Sequence, residues 1–167
     1  NKGIPILLDA ISQVKEPDIR FRFAGRGPDD LEALVSSAAE KDSRIVAELG
    51  FVTEERKAEL MRGAWSIVLP YTGFDAQSGV LQDAYAYGIP VVSTTVGALG
   101  AAVADEATGW TVEPGDPEAL AQCITRVASA SEDRTVAANQ IHAIAEQRTP
   151  QRIAAQLRDQ YSLITRR

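Results

Sequence analysis

Two aspartates, with seven residues between them, bracket the part of this sequence where the chemistry-bearing side chains gather: Asp75-Ala76-Gln77-Ser78-Gly79-Val80-Leu81-Gln82-Asp83. Ser78 has a hydroxyl fit to cap a helix, and Gly79 leaves the first turn bare of side chain. Free backbone N–H groups there, at the positive end of the helix dipole, form a ready phosphate site. Asp75 belongs to the loop ahead, and Asp83 to the second helical turn. Helical side chains lean toward the N-terminus, so the Asp83 carboxylate points back at the same cleft. A carboxylate accepts two hydroxyl hydrogen bonds, which suits the vicinal diol of a ribose or sugar. A solvated helix acid is the ordinary alternative, and the flanks Ala84, Tyr85 and Ala86 weigh against it. Two more glycine turns belong to the inventory. Gly25-Arg26-Gly27-Pro28 would let backbone approach a ligand while Arg26 meets a phosphate, although glycines are common at any strand-to-helix turn. Gly97, at another helix start, allows close approach or simple packing.

Several chemistries are excluded. The chain has one cysteine and one histidine, so an intramolecular disulfide and a four-cysteine zinc site are impossible. His142, late on a helical stretch with no nucleophile beside it, and Cys123, on an apolar helix position, read as structural. A hydrolase triad needs its histidine at the cleft, and the P-loop and G-x-G-x-x-G patterns are absent. A net charge of −6 over 167 residues argues against nucleic-acid binding, which needs a basic face. Apolar runs fall far short of the roughly 18 residues of a spanning helix. No cationic, apolar leader opens the chain, so a cytoplasmic location is expected.

The elements that must position these residues follow from two alternating periods. Short β-branched or aromatic runs recur at Phe21–Gly25, Arg44–Leu49, Trp65–Tyr71, Pro90–Thr94 and Gly109–Val112. Between them lie helical patterns: Ile4–Val14, Asp29–Glu40, a helix capped by Thr53, Ser78–Tyr87 closed by Gly88, and one opened by Asp116-Pro117-Glu118. Strands separated by helices are β-α-β units, so the fold class is α/β, a doubly wound parallel sheet of Rossmann-like type. Ligands then sit beyond the carboxyl ends of the strands, where Gly25, Asp75, Ser78 and Gly97 fall. Lys2-Gly3 enters a helix with no strand before it, which suggests a piece of something longer. From Ser129 onward come two helical stretches broken at Thr149-Pro150. The tail carries Arg148, Arg152, Arg158, Arg166 and Arg167. That basic tail reads as a solvated helix face, with a partner domain or an anionic membrane surface as alternatives.

Taken together, these residues resemble the C-terminal, donor-binding domain of GT-B glycosyltransferases, in particular the retaining family called group 1 or family four. The family's Lys-Gly before a helix is matched by Lys2-Gly3, its Gly-x-Gly-Pro by Gly25-Arg26-Gly27-Pro28, and its Gly-Phe-Val by Gly50-Phe51-Val52-Thr53. Its two spaced acids, then Ala and Gly-x-Pro-Val-Val, are matched by Asp75, Asp83-Ala84 and Gly88-Ile89-Pro90-Val91-Val92. Thr108-Gly109-Trp110 and Pro114-Gly115-Asp116-Pro117 complete the series, which runs from Lys2 to about Val127. Three departures stand out. Both family glutamates are aspartates here, Ala101 stands where another glutamate is usual, and the family's arginine ahead of Lys-Gly would precede Asn1.

The resemblance implies roles, position by position. Lys2 contacts the donor pyrophosphate, Gly50, Phe51, Val52 and Thr53 border the nucleobase, and Ser78, Gly79 and Val80 offer N–H groups to the distal phosphate. Asp83 holds the ribose and Asp75 faces the transferred sugar as the catalytic residue, with Gly25, Arg26, Gly27 and Gly97 completing the donor site. It implies residues 1–128 as a nucleotide-sugar-binding domain and 129–167 as helices packing on it or on an absent N-terminal acceptor domain. The expected activity is retaining transfer of a hexose from a nucleotide-diphosphate sugar, without metal or other cofactor, in a cytoplasmic or peripherally membrane-bound enzyme. This chain by itself is then expected to be an incomplete, inactive fragment. A non-catalytic nucleotide-binding module and a nucleotide-sugar epimerase of the same architecture are the alternatives.

Overall fold

Each strand of the expected series forms, and its bounds follow from local chemistry. The computed structural model describes residues 2–73 and 78–164. In chain order the elements are α1 (Ile4–Gln13), β1 (Phe21–Gly25), α2 (Asp29–Lys41), β2 (Ile45–Leu49), α3 (Glu54–Arg62), β3 (Ile67–Leu69), α4 (Gly79–Ala86), β4 (Val91–Thr94), α5 (Gly97–Asp105), β5 (Gly109–Val112), α6 (Pro117–Ser129), α7 (Ser131–Gln147) and α8 (Pro150–Ile164). The run Trp65–Tyr71 yields only a three-residue strand: Pro70 has no N–H to continue the ladder, and Trp65 stays exposed. The caps fall where the sequence puts them. Thr53 Oγ1 accepts from Arg56 N at 3.2 Å, and Asp116 Oδ1 from Ala119 N at 2.9 Å. Gly88, with φ +70, closes α4.

The strands are parallel and helices cover both faces, as the α/β, doubly wound reading requires. They form two groups, β1-β2 and β3-β4-β5. Successive residues of a strand face opposite sides. Val92 accordingly joins a core with Leu7 and Ile11 of α1, Leu120 and Ile124 of α6, Phe21 and Ile45. Val91 joins the other core, with Leu81 and Tyr85 of α4, Leu99 and Val103 of α5, and Ile141 of α7. On β2, Glu48 points away from the face Ile45 uses, and there Arg56 of α3 grips it through two bonds of 2.8 Å. Helix α7 thus packs on the sheet domain, and His142 lies against Gly88. Arg134 of α7 donates to the carbonyls of Val127 and Ala128 and sits over the Trp65 ring.

One half-buried arginine ties the first helix to the sheet. Arg44 donates to the carbonyls of Val14 at 2.7 Å and Ile11 at 3.0 Å, closing the C-terminus of α1. The same guanidinium forks onto Asp42, with its nearest oxygen at 2.7 Å. Those bonds hold the Asp42 carboxyl below the usual carboxylate range.

Candidate functional site at the carboxyl ends of the strands

The site is assembled from four strand ends. At the end of β1, Gly25 adopts φ +124 and accepts from Gly50 N at 3.0 Å, which links the ends of β1 and β2. Arg26 and Gly27 follow on the surface, and Gly27 N already donates to Glu32 Oε1 at 2.8 Å. After β2, Gly50 takes φ +102, Phe51 stands 91 % exposed, Val52 is half-buried and Thr53 starts α3.

The end of β3 carries the tightest construction. Gly3, with φ +69, packs so closely on Pro70 that a Cβ would overlap the Pro70 carbonyl. That contact delivers Lys2, whose Nζ lies 4.1 Å above the Tyr71 ring. The Tyr71 hydroxyl meets Ser78 Oγ at 3.2 Å, and Ser78 Oγ accepts from Leu81 N at 3.4 Å, so the expected cap of α4 forms. Thr94 of β4 donates to the Tyr71 carbonyl at 2.6 Å. Ser78 is buried, whereas Gly79 and Val80 are exposed, and among the described residues no heavy atom lies within 4 Å of where a Gly79 Cβ would stand. The first turn of α4 is therefore fixed in place and open to a ligand.

Asp83 is half-exposed, and its carboxylate lies 3.5 Å from Lys57 Nζ on α3, which also pairs with Glu54 at 2.9 Å. Glu54 first, and Asp83 with it, hold the Lys57 ammonium above the ordinary lysine range. Gly97 takes φ +53 at the exposed start of α5. The close packing there falls to Gly100, against the Thr94 carbonyl and Thr95. Asp75 lies outside the described residues.

A cleft of about 990 Å³ joins these pieces, with Lys2, Gly25, Arg26, Gly27, Lys57, Tyr71 and Val80 in its wall. Gly50, Ser78 and Asp83 adjoin it through Gly25, Tyr71 and Lys57; Gly97 does not contribute to the wall. Gly3, Lys57 and Tyr71 are the residues that sequence reasoning passed over as site members. The signal for Gly3 was legible in Gly3-Ile4-Pro5, a glycine before a proline-opened helix. Lys57 gave none, because its partner Asp83 is remote in sequence. Among the described residues no three His, Cys, Asp or Glu side chains group as metal ligands, and no helix is long and apolar enough to cross a membrane. Six cations of the described residues line the cleft, against three acids, Asp18, Glu32 and Glu59: Arg20, Arg22 and Arg56, the last two paired with Glu48, and Lys2, Arg26 and Lys57. With an open helix start beside them, the arrangement suits a polyanion such as a diphosphate.

Comparison with known proteins gives a consistent picture. Residues 1–130 match the family described as glycosyl transferases, group 1. A phosphatidyl-myo-inositol mannosyltransferase of Mycobacterium leprae is 36 % identical over 125 residues, covering 74 % of this chain and 33 % of that protein. The putative colanic acid biosynthesis glycosyltransferase WcaL of Escherichia coli is 33 % identical over 130 residues, covering 72 % and 32 %. Among solved structures, Anabaena HepE in complex with UDP-glucose superposes with a TM-score of 0.77 at 25 % identity, over 95 % of this chain and 45 % of its own. The chain spans about a third of the length of the curated relatives it matches.

Proposed function

The chain belongs to the group 1 glycosyl transferases, and from that premise we propose that it is the half of such an enzyme that binds a nucleoside-diphosphate sugar. The observation that carries the reading is the start of α4: an open Gly79 turn, locked by Ser78 and Tyr71, with the Lys2 ammonium beside it. In this proposal the Ser78, Gly79 and Val80 N–H groups and Lys2 hold the diphosphate. Asp83, oriented by Lys57, takes the ribose diol, and Gly50, Phe51, Val52 and Thr53 border the base. The sugar faces Asp75. As the glycosidic bond breaks, negative charge grows on the departing diphosphate, where the helix dipole and Lys2 lower its energy. These groups supply the positive field without a metal. HepE is solved with UDP-glucose, which supports a hexose donor; transfer with retention, to an acceptor held by a further domain, completes the proposal.

Titration of the ¹⁵N-labelled chain with UDP, GDP, UDP-glucose and GDP-mannose tests it. The Ser78, Gly79 and Val80 amides are expected to shift on binding. Gly79→Val has room to fold and should weaken nucleoside-diphosphate binding by about 1 kcal/mol or more, roughly fivefold. Unchanged affinity in the folded variant overturns the phosphate site. In the complete enzyme, Asp83→Asn should act mainly on KM and Asp75→Asn mainly on kcat, since only the latter contact strengthens in the transition state.

A further inference from the structure

Tyr71 is only 4 % exposed, although it stands at the ligand end of β3 and forms part of the cleft wall. Its backbone is fixed from two sides. Thr94 of β4 donates to its carbonyl at 2.6 Å, and Gly3 packs on the preceding Pro70. The side chain then meets two pieces of the cleft that lie far apart in sequence. Its ring face carries the Lys2 ammonium, 4.1 Å from the centroid. Its hydroxyl meets Ser78 Oγ at 3.2 Å, and that oxygen caps α4 by accepting from Leu81 N at 3.4 Å. Either hydroxyl can donate in the first of these bonds, and with either donor the phenol ends on the atom that sets the first turn. A tyrosine that merely fills a core needs apolar neighbours and one partner for its hydroxyl. Here the ring and the hydroxyl each hold a different member of the anion site.

We infer that Tyr71 is the positioning residue of the donor site, seating the Lys2 ammonium on its ring and the first turn of α4 on its hydroxyl so that both meet one diphosphate. The inference rests on the donor-site reading and adds to it a residue that acts on the donor through Lys2 and Ser78. Ordering a long lysine side chain costs rotamer entropy. A ring face that already carries the ammonium reduces what remains to be ordered on binding. The ring also holds that ammonium without neutralising it, since the attraction is to a quadrupole and not to a carboxylate. The capped turn is ordered in the same way, by a bond made before any ligand arrives.

The two contacts separate by mutation: Tyr71→Phe keeps the ring and removes the hydroxyl, and Tyr71→Leu removes both. UDP and GDP are titrated into the ¹⁵N-labelled 167-residue chain, into both variants, and into each of them combined with Lys2→Met. Tyr71→Phe should displace the Ser78, Gly79 and Val80 amide resonances before ligand is added. It should weaken binding about threefold, with or without Lys2→Met. Tyr71→Leu should weaken binding about tenfold beside Lys2, yet no more than Tyr71→Phe does once Lys2→Met is present. A structural tyrosine would impose one factor in both backgrounds, and that result overturns the inference. So does parent affinity in Tyr71→Phe. The Lys2 Hε protons of the parent need no variant to fold: they should resonate upfield under the ring current, and ordinary shifts there also overturn it. If neither nucleotide binds the parent, the donor-site reading falls and this inference with it. If Lys2→Met and Gly79→Val weaken binding while the Tyr71 variants do not, this inference alone falls.

Discussion

The β1-β2 and β3-β4-β5 halves of the sheet are built on different principles. β4 is laddered on both sides and all four of its residues are buried, with hydrocarbon above and below. Among the described residues β1 is laddered on one side, and its residues alternate between buried or half-buried and exposed. Its outward face is covered by charge: Arg22, Glu48, Arg56 and Glu59 form a chain of ion pairs beneath α3. Exposed ion pairs contribute little, so the first half leans on Arg44 and on the α1–α6 core it shares with Val92, while the second has a further core of its own. The candidate site lies on the seam. Gly25, Arg26 and Lys57 come from one half, and Tyr71, Ser78 and Asp83 from the other. A ligand at such a seam would bind where local opening is cheapest and would tie the halves together.

The largest effect should come from a single methyl group in the closed half. Gly109 stands opposite Val91 in the β4-β5 ladder, and a Cβ there would overlap the Val91 carbonyl oxygen. Backbone cannot yield as a side-chain tip can, so Gly109→Ala should cost more than about 4 kcal/mol and abolish a cooperative urea transition. Gly27→Ala, in the open half, would meet only the Glu32 side chain at 3.9 Å. It should stay within about 0.5 kcal/mol of the parent. Comparable losses at the two glycines would erase the distinction between the halves.

Next comes the anchor of the open half. Arg44→Leu strips the carbonyls of Ile11 and Val14 and leaves Asp42 without its guanidinium, for a loss of about 3 kcal/mol in urea unfolding. The pH dependence has a definite sign. The Asp42 carboxyl is held low in the folded state, so its stabilisation is complete above the ordinary aspartate range near ~4 and is lost as pH falls through the depressed folded value. The gap between parent and variant should therefore be flat at neutral pH and narrow in acid. A gap independent of pH would mean that the carbonyl bonds alone make up the anchor.

Helix caps compare the halves with the chemistry held constant. Ser78→Ala removes a buried cap together with the Tyr71 contact, whereas Thr53→Ala removes an exposed cap alone. Losses of about 1.5 and about 0.7 kcal/mol are expected, within the usual range for caps. Thermal unfolding of both variants checks the order, and a reversed order would mean that the start of α4 is not the more rigid.

Local features were the legible ones. Caps, turn glycines and strand positions depend on residues a few positions apart, so Thr53, Ser78, Gly88 and Asp116 could be read directly, and the α/β order followed from them. What could not be read was contact between remote segments. Gly3 on Pro70, Lys57 on Asp83 and Arg44 on Val14 are pairings that only the fold creates. Gly97 invited a close-approach reading, yet Gly100 is the glycine that packs on the strand end, because spacing alone cannot say which turn of α5 meets β4.

The smallest expected effect belongs to the ion pair that crosses the seam. Lys57 of α3 reaches Asp83 of α4 at 3.5 Å, and all three partners of the cluster are at least partly solvated: their side chains are 31 % exposed in Lys57, 36 % in Asp83 and 82 % in Glu54. Solvation and the entropy of long side chains leave such pairs worth about 0.5 kcal/mol or less. Lys57→Gln should thus move the urea midpoint only slightly in ~0.05 M salt and not measurably in ~0.5 M salt, where screening shortens to a few ångströms. The lysine is held above its ordinary range, so whatever it contributes is complete at neutral pH. That contribution disappears as pH rises past the unfolded value near ~10.4 and through the folded one. A loss above about 1 kcal/mol that persists in high salt would mean that the two halves are held together by this contact, and the seam would then be rigid before any ligand arrives.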